Sequence, residues 1–136
     1  MRITVWSRSL ALIVAGLFAS LAEAQLPVPS AGVIQDVEGA TDKPDPSRVY
    51  KLVFDMQSMA DSADKVNPAL MGIAKLLNTY RKYGVPSDHI LATAVFHGPT
   101  IVVVTKDDTY HGRTGAKANP NVDLLRQLAA AGMKFV

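Results

Sequence analysis

Polar residues follow two strand-like stretches of this 136-residue sequence. Asp55 closes the stretch RVYKLVFD, and His97, Gly98 and Pro99 follow the stretch HILATAVF. Ligands of open parallel sheets bind at the carboxyl ends of the strands, so these residues form the candidate pocket at which chemistry is expected. His97 can act as a general base or set the pKa of a neighbouring nucleophile, because imidazole titrates near neutral pH.

Two of these residues also have purely structural interpretations. The His97 ring can donate a hydrogen bond to a loop carbonyl and hold the turn, and the Asp55 carboxylate can cap the crossover that follows its strand. The residue types leave both interpretations open. The sequence therefore assigns no catalytic residue.

A metal site is one interpretation of His97, Asp107, Asp108 and His111, because their side chains are common metal ligands and Asp107 and His111 would be neighbours on a helix. The sequence has no H-E-x-x-H or comparable spacing, so we predict no metal. The stretch GRTG (112–115) lacks the Lys-Ser/Thr of a P-loop, and no G-x-G-x-x-G follows a strand. No cofactor is predicted either.

Composition narrows the function further. The formal net charge is +2, and the basic residues are scattered singly along the chain, so no nucleic-acid surface is predicted. The sequence contains no cysteine, which excludes a disulfide framework and a thiol nucleophile within these residues.

The first 24 residues have the three parts of a secretory signal peptide. A basic start precedes an apolar run at 10–21 and the A-x-A site that ends at Ala24. The run is shorter than the roughly 20 residues that span a bilayer, so we expect cleavage after Ala24, a periplasmic or secreted protein, and no stable membrane insertion afterwards. The proline-rich residues 25–47 are predicted to be a mobile leader or linker, which leaves one domain at 48–136.

The residues after the leader alternate between strand and helix patterns. The stretch 48–55 is rich in β-branched and aromatic residues and predicts a strand buried on much of both faces. After a polar crossover at 56–66, Asn67 can cap a helix whose first position is Pro68 and whose end is marked by Gly84. A second strand follows, and the order strand, helix, strand predicts a right-handed parallel pair and an α/β fold.

The second half of the domain is less regular. The stretch PTIVVVT (99–105) has strong strand propensity, but its place directly after a strand and a Gly-Pro turn also fits a helix, and both remain open. Residues 106–118 are polar and punctuated by glycine, which predicts a loop or a frayed helix end. Asn119 and Pro120 predict the start of another helix, and MKFV (133–136) predicts a third parallel strand.

In their order and spacing these elements resemble the exported branch of the DsrE/DsrF-like (YchN-like) family. The resemblance covers 48–136 and rests on RVYKLVFD as first strand, KVNPALMGIAKLLNTYRKYGV as first helix, HILATAVFHGPT as a strand with its His-Gly turn, and NPNVDLLRQLAAAGMKFV leading to a third strand. It implies a three-layer α/β/α fold with a parallel sheet, assembled into homo- or hetero-oligomers. It also favours a helix in GPTIVVVTKDDTY.

The resemblance further implies a place in sulfur metabolism, where some members carry persulfide sulfur on a cysteine and relay it to a sulfur-carrier partner protein. In the exported branch a Cys-Gly motif follows the strand that begins here as MKFV. The carrier cysteine, with the last strand and helix, is therefore expected beyond Val136, and His97, Gly98, Asn119 and Asn121 are expected near it. The alternative is a non-catalytic periplasmic binding or assembly subunit of the same fold.

Overall fold

The computed structural model describes residues 26–136, so the predicted signal peptide at 1–24 lies outside the described residues. Residues 26–136 form three strands and three α-helices in the order β-α-β-α-α-β, together with short 3-10 segments. The α-helices and strands are β1 (Tyr50–Met56), α1 (Pro68–Lys82), β2 (Ile90–Phe96), α2 (Asp107–Thr114), α3 (Val122–Ala130) and β3 (Lys134–Phe135), and the 3-10 segments are Pro29–Ala31, Ser87–His89 and Gly98–Val104. Within residues 26–136, no helix combines the length and the apolar character that crossing a membrane requires.

The three strands form one parallel sheet in the order β1-β2-β3. β1 and β2 pair along their whole length, from Tyr50 opposite Ile90 to Met56 opposite Phe96. β3 adds to the far side of β2, with Phe135 opposite Ala94. The parallel sheet with connecting helices confirms the α/β prediction.

The core lies on one face of this sheet. Even-numbered residues of β1 and β2, such as Met56, Ala94 and Phe96, pack against buried side chains from α1, the 3-10 segment Gly98–Val104 and α3. The buried apolar residues of these helical parts are Leu70, Ile73, Ala74, Leu77, Val103, Leu124 and Leu128. Among the described residues the buried helix faces thus join a single core on this side of the sheet.

The opposite face of the sheet, which we call the open face, carries the odd-numbered residues of β1 and β2 and, beside them, the even-numbered residues Lys134 and Val136. Val53 is 75% exposed, Leu91 is 50% exposed and Val136 is 74% exposed. The prediction that β1 is buried on much of both faces is therefore wrong. Strand composition reports β-propensity, whereas burial of the second face depends on whether another layer covers it.

Helix α1 forms as predicted because its ends are specified locally. The Asn67 side chain accepts hydrogen bonds from the backbone N–H groups of Ala69 and Leu70, and Pro68 takes the first position, where no N–H is needed. Gly84 follows the helix with φ = 81°, a left-handed conformation that glycine adopts without steric penalty.

The ambiguous stretch 99–105 lies mostly in a 3-10 segment, Gly98–Val104, and contains no strand. Its two buried residues, Thr100 and Val103, are three positions apart and therefore lie on one side of a helix with three residues per turn. Pro99 cannot donate to a strand ladder. Packing of one side against the core overrides the strand propensity of the valines.

The polar stretch that follows forms helix α2 rather than a loop. Tyr110 anchors it, since the ring is buried and its hydroxyl donates to the backbone carbonyl of Ala63 over 2.8 Å. The predicted start of the next helix at Asn119 and Pro120 is two residues too early, because α3 begins at Val122. Asn119 is instead buried in a hydrogen-bond network described below.

Part of the predicted leader packs on the domain. Val28 is fully buried, and its backbone N–H and C=O both bond to the side chain of Asn78 on α1, at 3.0 and 2.9 Å. The same amide donates to the carbonyl of Gly32, and Ser30 bonds to Gln127 on α3. Residues 28–32 are therefore held by two helices, which differs from the mobile spacer that proline content suggested.

Candidate functional site

The three strands end side by side at one edge of the sheet. Met56 and Phe96 are register partners at the ends of β1 and β2. The N–H of Phe96 donates to the carbonyl of Val136 over 2.8 Å, and the N–H of Val136 donates to the carbonyl of Ala94 over 2.9 Å. The residues that follow the strands therefore meet at this edge, as expected for a parallel sheet.

Asp55 and His97 form a direct pair on the open face at this edge. The distance between Nε2 of His97 and Oδ1 of Asp55 is 2.5 Å, and both side chains are slightly more than half exposed. Asp55 is the register partner of Val95, so His97 is the next residue along β2 that points to the same face. The pleat and the register bring together two candidates that the sequence could only place at the same edge.

The carboxylate of Asp55 has a second donor. Nε2 of Gln57 donates to Oδ2 of Asp55 over 2.6 Å, while His97 occupies Oδ1. These hydrogen bonds, with Gln57 as the larger cause and His97 as the second, lower the pKa of Asp55 below its ordinary value of 3.8, because both stabilise the ionised form. The carboxylate is thus anionic at neutral pH and serves as a fixed acceptor.

The partner atoms determine which nitrogen of His97 is free. An ionised carboxylate can only accept, so Nε2 carries the hydrogen and, in the neutral ring, Nδ1 keeps its lone pair. Nδ1 makes no hydrogen bond among the described residues, and the ring is exposed. The arrangement can accept a proton at Nδ1 while Asp55 orients the ring.

The turn that carries His97 is held from below by Thr100. Its buried hydroxyl lies 2.6 Å from the carbonyl of Met56 and accepts a hydrogen bond from the N–H of His97. Gly98 has φ = 55°, a left-handed conformation that favours glycine, and Pro99 follows it at the start of the 3-10 segment. Thr100 therefore links the ends of β1 and β2, so that the His97 backbone is fixed relative to the strand that carries Asp55.

Asn119 and Asn121 are buried, and their polar atoms bond within the chain. Nδ2 of Asn119 donates to the carbonyls of Val103 and Thr105, both at 2.8 Å, while its Oδ1 accepts from the backbone and side-chain amides of Asn121. Oδ1 of Asn121 in turn accepts from the N–H of Asn67 over 2.7 Å. This asparagine network ties the start of α1 to the start of α3.

The structure therefore divides the predicted site residues into two groups. Asp55, His97, Gly98 and Pro99 belong to one exposed edge. The described hydrogen bonds of Asn119 and Asn121 include neither Asp55 nor His97, so the two asparagines support loops rather than present ligands. Their amide groups are satisfied inside the protein, which is the usual condition for buried polar side chains.

Two of the residues considered for a metal, Asp107 and His111, bond within the chain instead. Oδ1 of Asp107 accepts from the N–H of Asn119, and Nδ1 of His111 lies 2.8 Å from the carbonyl of Ala116. Within residues 26–136, no group of three or more His, Cys, Asp or Glu side chains is placed to hold a metal ion.

Sequence reasoning missed the supporting residues of this edge. Gln57 and Thr100 both follow strands, but nothing in their type distinguishes an acceptor-orienting amide or a buried turn hydroxyl from ordinary loop residues. A Thr three residues after the His, directly behind a Gly-Pro, is the one local signal, since Ser and Thr side chains commonly bond the backbone of the turn in which they lie. No protein-family model, curated protein or solved structure matches the chain.

Proposed function

We propose that the chain is part of an exported DsrE-like protein that relays persulfide sulfur, with the carrier cysteine following Val136 in the protein. The observation that carries the proposal is the Asp55–His97 pair at the carboxyl end of the sheet, in which Nδ1 of His97 makes no hydrogen bond among the described residues. A thiol needs a base to become the reactive thiolate, and an oriented neutral imidazole is the commonest such base.

The register of β2 and β3 predicts which face of the sheet a thiol after Val136 would occupy. Phe135 pairs with Ala94, so continuation of the same ladder would set the position after Val136 opposite Phe96 and the next position opposite His97. A cysteine at the second of these positions would share the open face with His97, whereas a cysteine directly after Val136 would point with Phe96 to the core face. The chain described here contains no cysteine, so His97 is proposed as a positioning and proton-accepting residue and not as a sulfur carrier.

The proposed sulfur transfer conserves atoms and electrons and needs no oxidant or reductant. His97 accepts the thiol proton at Nδ1, and the thiolate attacks the outer sulfur of a donor persulfide. The S–S bond of the donor breaks, the carrier becomes the persulfide, and the donor leaves as a thiolate that takes the proton from His97. Export to the periplasm and a partner protein that donates or accepts sulfur are parts of the same proposal.

The test begins with the coding DNA read in frame past Val136 and with the intact mass of the native exported protein. If a cysteine follows, the native protein is treated with polysulfide, alkylated and analysed by mass spectrometry for one added sulfur. We expect His97→Ala to slow alkylation of that thiol at neutral pH. His89→Ala is the matched control, because His89 precedes β2 at the opposite edge of the sheet. Equal thiol reactivity in both variants would contradict the role given to His97.

A second function, a non-catalytic binding or assembly subunit, is favoured by the open face. Three exposed apolar residues, Val53, Leu91 and Val136, lie on it. Exposed apolar surface of this kind marks interaction sites or the missing cover of a core. In the three-layer α/β/α fold that we propose, further chain or a partner of the same fold covers this face.

Sedimentation of the native protein separates these two possibilities. If the open face binds a second copy, Val53→Lys is expected to lower the sedimentation coefficient to that of a monomer, whereas Lys51→Val on the same strand is not. A stop codon directly after Val136 together with an oligomer would favour the assembly function over sulfur relay. A monomer with an in-frame cysteine would favour sulfur relay.

A further inference from the structure

A cavity of about 440 Å³ lies next to the His97 turn, on the helical side of the Gly-Pro pair. Gly98 and Pro99 form one end of it, and residues of α2 form the other. Its volume falls in the range of small-molecule sites, roughly 300–1,000 Å³. The cavity borders the Asp55–His97 edge but does not include either of those side chains.

The two walls of this cavity differ in chemistry. One wall is apolar and is built from Met59, Pro99, Ile101 and Val102. The other wall carries three threonines and a single charged group, the guanidinium of Arg113. A ligand that matches both walls has an aliphatic body and one anionic head group.

Arg113 is available for such a head group. None of the ion pairs formed between described residues includes it. On α2 its preceding neighbours at i−4 and i−3 are Thr109 and Tyr110, so no carboxylate lies beside it on the helix surface. The first-turn acid Asp107 lies at i−6, and its Oδ1 accepts from Asn119. The guanidinium of Arg113 thus forms no ion pair with a carboxylate of the described residues.

The threonines of the same wall add one donor. The hydroxyls of Thr105 and Thr114 donate to the backbone carbonyls of Val102 and Tyr110, at 2.7 and 2.8 Å. Thr109 makes no side-chain hydrogen bond among the described residues, and it lies one helical turn before Arg113, on the same side of α2. Its hydroxyl can therefore donate to an anion bound at Arg113.

We propose that this cavity binds a small organic carboxylate with a short branched aliphatic chain. The planar guanidinium of Arg113 pairs with the carboxylate, since the two groups match in geometry, and Thr109 adds a hydrogen bond. Ile101, Val102 and Met59 contact the aliphatic chain. A phosphate or a nucleotide fits less well, because the residues that line the cavity supply a single cation. The inference stands on the cavity alone and does not depend on sulfur relay.

The test is a titration of the ¹⁵N-labelled protein with isocaproate, followed by amide chemical shifts at low salt. We expect saturable binding in the millimolar range with shifts confined to the residues around the cavity. Isocaproamide has the same shape as isocaproate but no charge, and we expect it to bind about tenfold more weakly. Acetate has the charge but no aliphatic chain, and we expect it to bind about tenfold more weakly as well.

Variants locate the site. Arg113→Gln is expected to weaken isocaproate binding about tenfold, and Ile101→Ala is expected to weaken it severalfold. Ile101 is 52% exposed, so its truncation leaves the core intact. Arg126→Gln is the matched control, because Arg126 is an exposed arginine on α3 that lines a different cavity. It should leave the affinity unchanged.

Three results would overturn the proposal: unsaturable shifts spread over the surface, equal affinity of the acid and the amide, or equal losses in the Arg113 and Arg126 variants. If Arg113→Gln does not fold, the comparison of acid and amide on the unmodified protein still decides it. A failure of the thiol experiment has no bearing on this result, since the probe and the readout are independent of cysteine.

Discussion

Replacing Asn78 with leucine tests whether the segment 28–32 is an integral part of the domain. The amide of Asn78 is fully buried and makes three hydrogen bonds, two with Val28 and one with Gly32. Leucine keeps a similar volume but can make none of them. The variant therefore removes the polar connection between the segment and α1 without opening a large cavity.

The expected loss of unfolding free energy in Asn78→Leu follows from two limiting cases. If the segment stays in place, the loss of three hydrogen bonds at about 1 kcal/mol each lowers the free energy of unfolding by about 3 kcal/mol. If the segment leaves, the buried side chain of Val28 becomes exposed, which costs about 1.5–3 kcal/mol, and the hydrogen bonds are lost to water instead. The two cases together predict a loss of about 1.5–3 kcal/mol.

The assay is urea unfolding followed by circular dichroism, together with hydrogen exchange of the Val28 amide. With a slope of about 1.5 kcal/mol per molar, Asn78→Leu is expected to lower the midpoint by roughly 1–2 M. Gln127→Leu is the matched control, because Gln127 bonds the same segment through Ser30 in an exposed position. For Gln127→Leu we expect the free energy of unfolding to fall by less than about 1 kcal/mol.

A loss below about 1 kcal/mol for Asn78→Leu, or one equal to that of the control, would refute the reasoning. Rapid exchange of the Val28 amide in the unmodified protein would refute it as well, since that amide is buried and bonded to Asn78. Either result would mean that residues 28–32 contribute nothing to the folded domain.

The other predictions concern the strand-end edge. Gln57→Ala removes the larger cause of the lowered pKa of Asp55, so that pKa should rise toward 3.8, as measured by NMR titration of the side-chain carboxyl carbon. Because the folded pKa of Asp55 is lowered, the stability that the ionised carboxylate contributes is full above pH 3.8 and is lost as pH falls through the folded pKa. Gln57→Ala should lose part of this stability. An unchanged pKa of Asp55 in the variant would contradict the role given to Gln57. Thr100→Val leaves the carbonyl of Met56 and the N–H of His97 without the buried hydroxyl and should cost about 1–3 kcal/mol in thermal unfolding. Thr100→Ser keeps the hydroxyl and should recover most of that loss, so equal effects of the two would count against the hydrogen bonds.

The strand-end edge shows which features of the site residue types and spacing can predict. The ends of two strands at Asp55 and His97 can be predicted, because β-branched runs bounded by turn residues are local features. Their pairing cannot, since it depends on a register that sets Asp55 beside Val95 and so brings His97, 42 residues away in the chain, onto the same face. A shift of one residue would place the two side chains on opposite faces.

The roles of Asn119 and Asn121 could not be predicted from residue type and spacing. Their residue type and their place before a helix suggest either caps or ligands, and both uses are compatible with an exposed amide. The structure buries them and satisfies their amides with backbone groups of Val103 and Thr105 and with Asn67, which no spacing rule connects to them. Burial removes them from the candidate pocket and makes them supports of it.

By itself the sequence determined the order of β1, α1, β2, α3 and β3, the parallel α/β topology and the ends of α1, since these follow from periodicity, from capping residues and from the handedness of crossovers. Only the tertiary structure decided that 99–104 lies in a 3-10 segment, that one sheet face is open, that Val28 is held by Asn78, and that Asp55 orients His97. The physical reason is the range of the interactions. Backbone preferences act between near neighbours, whereas burial and the choice of a hydrogen-bond partner depend on side chains that meet only after the chain has folded.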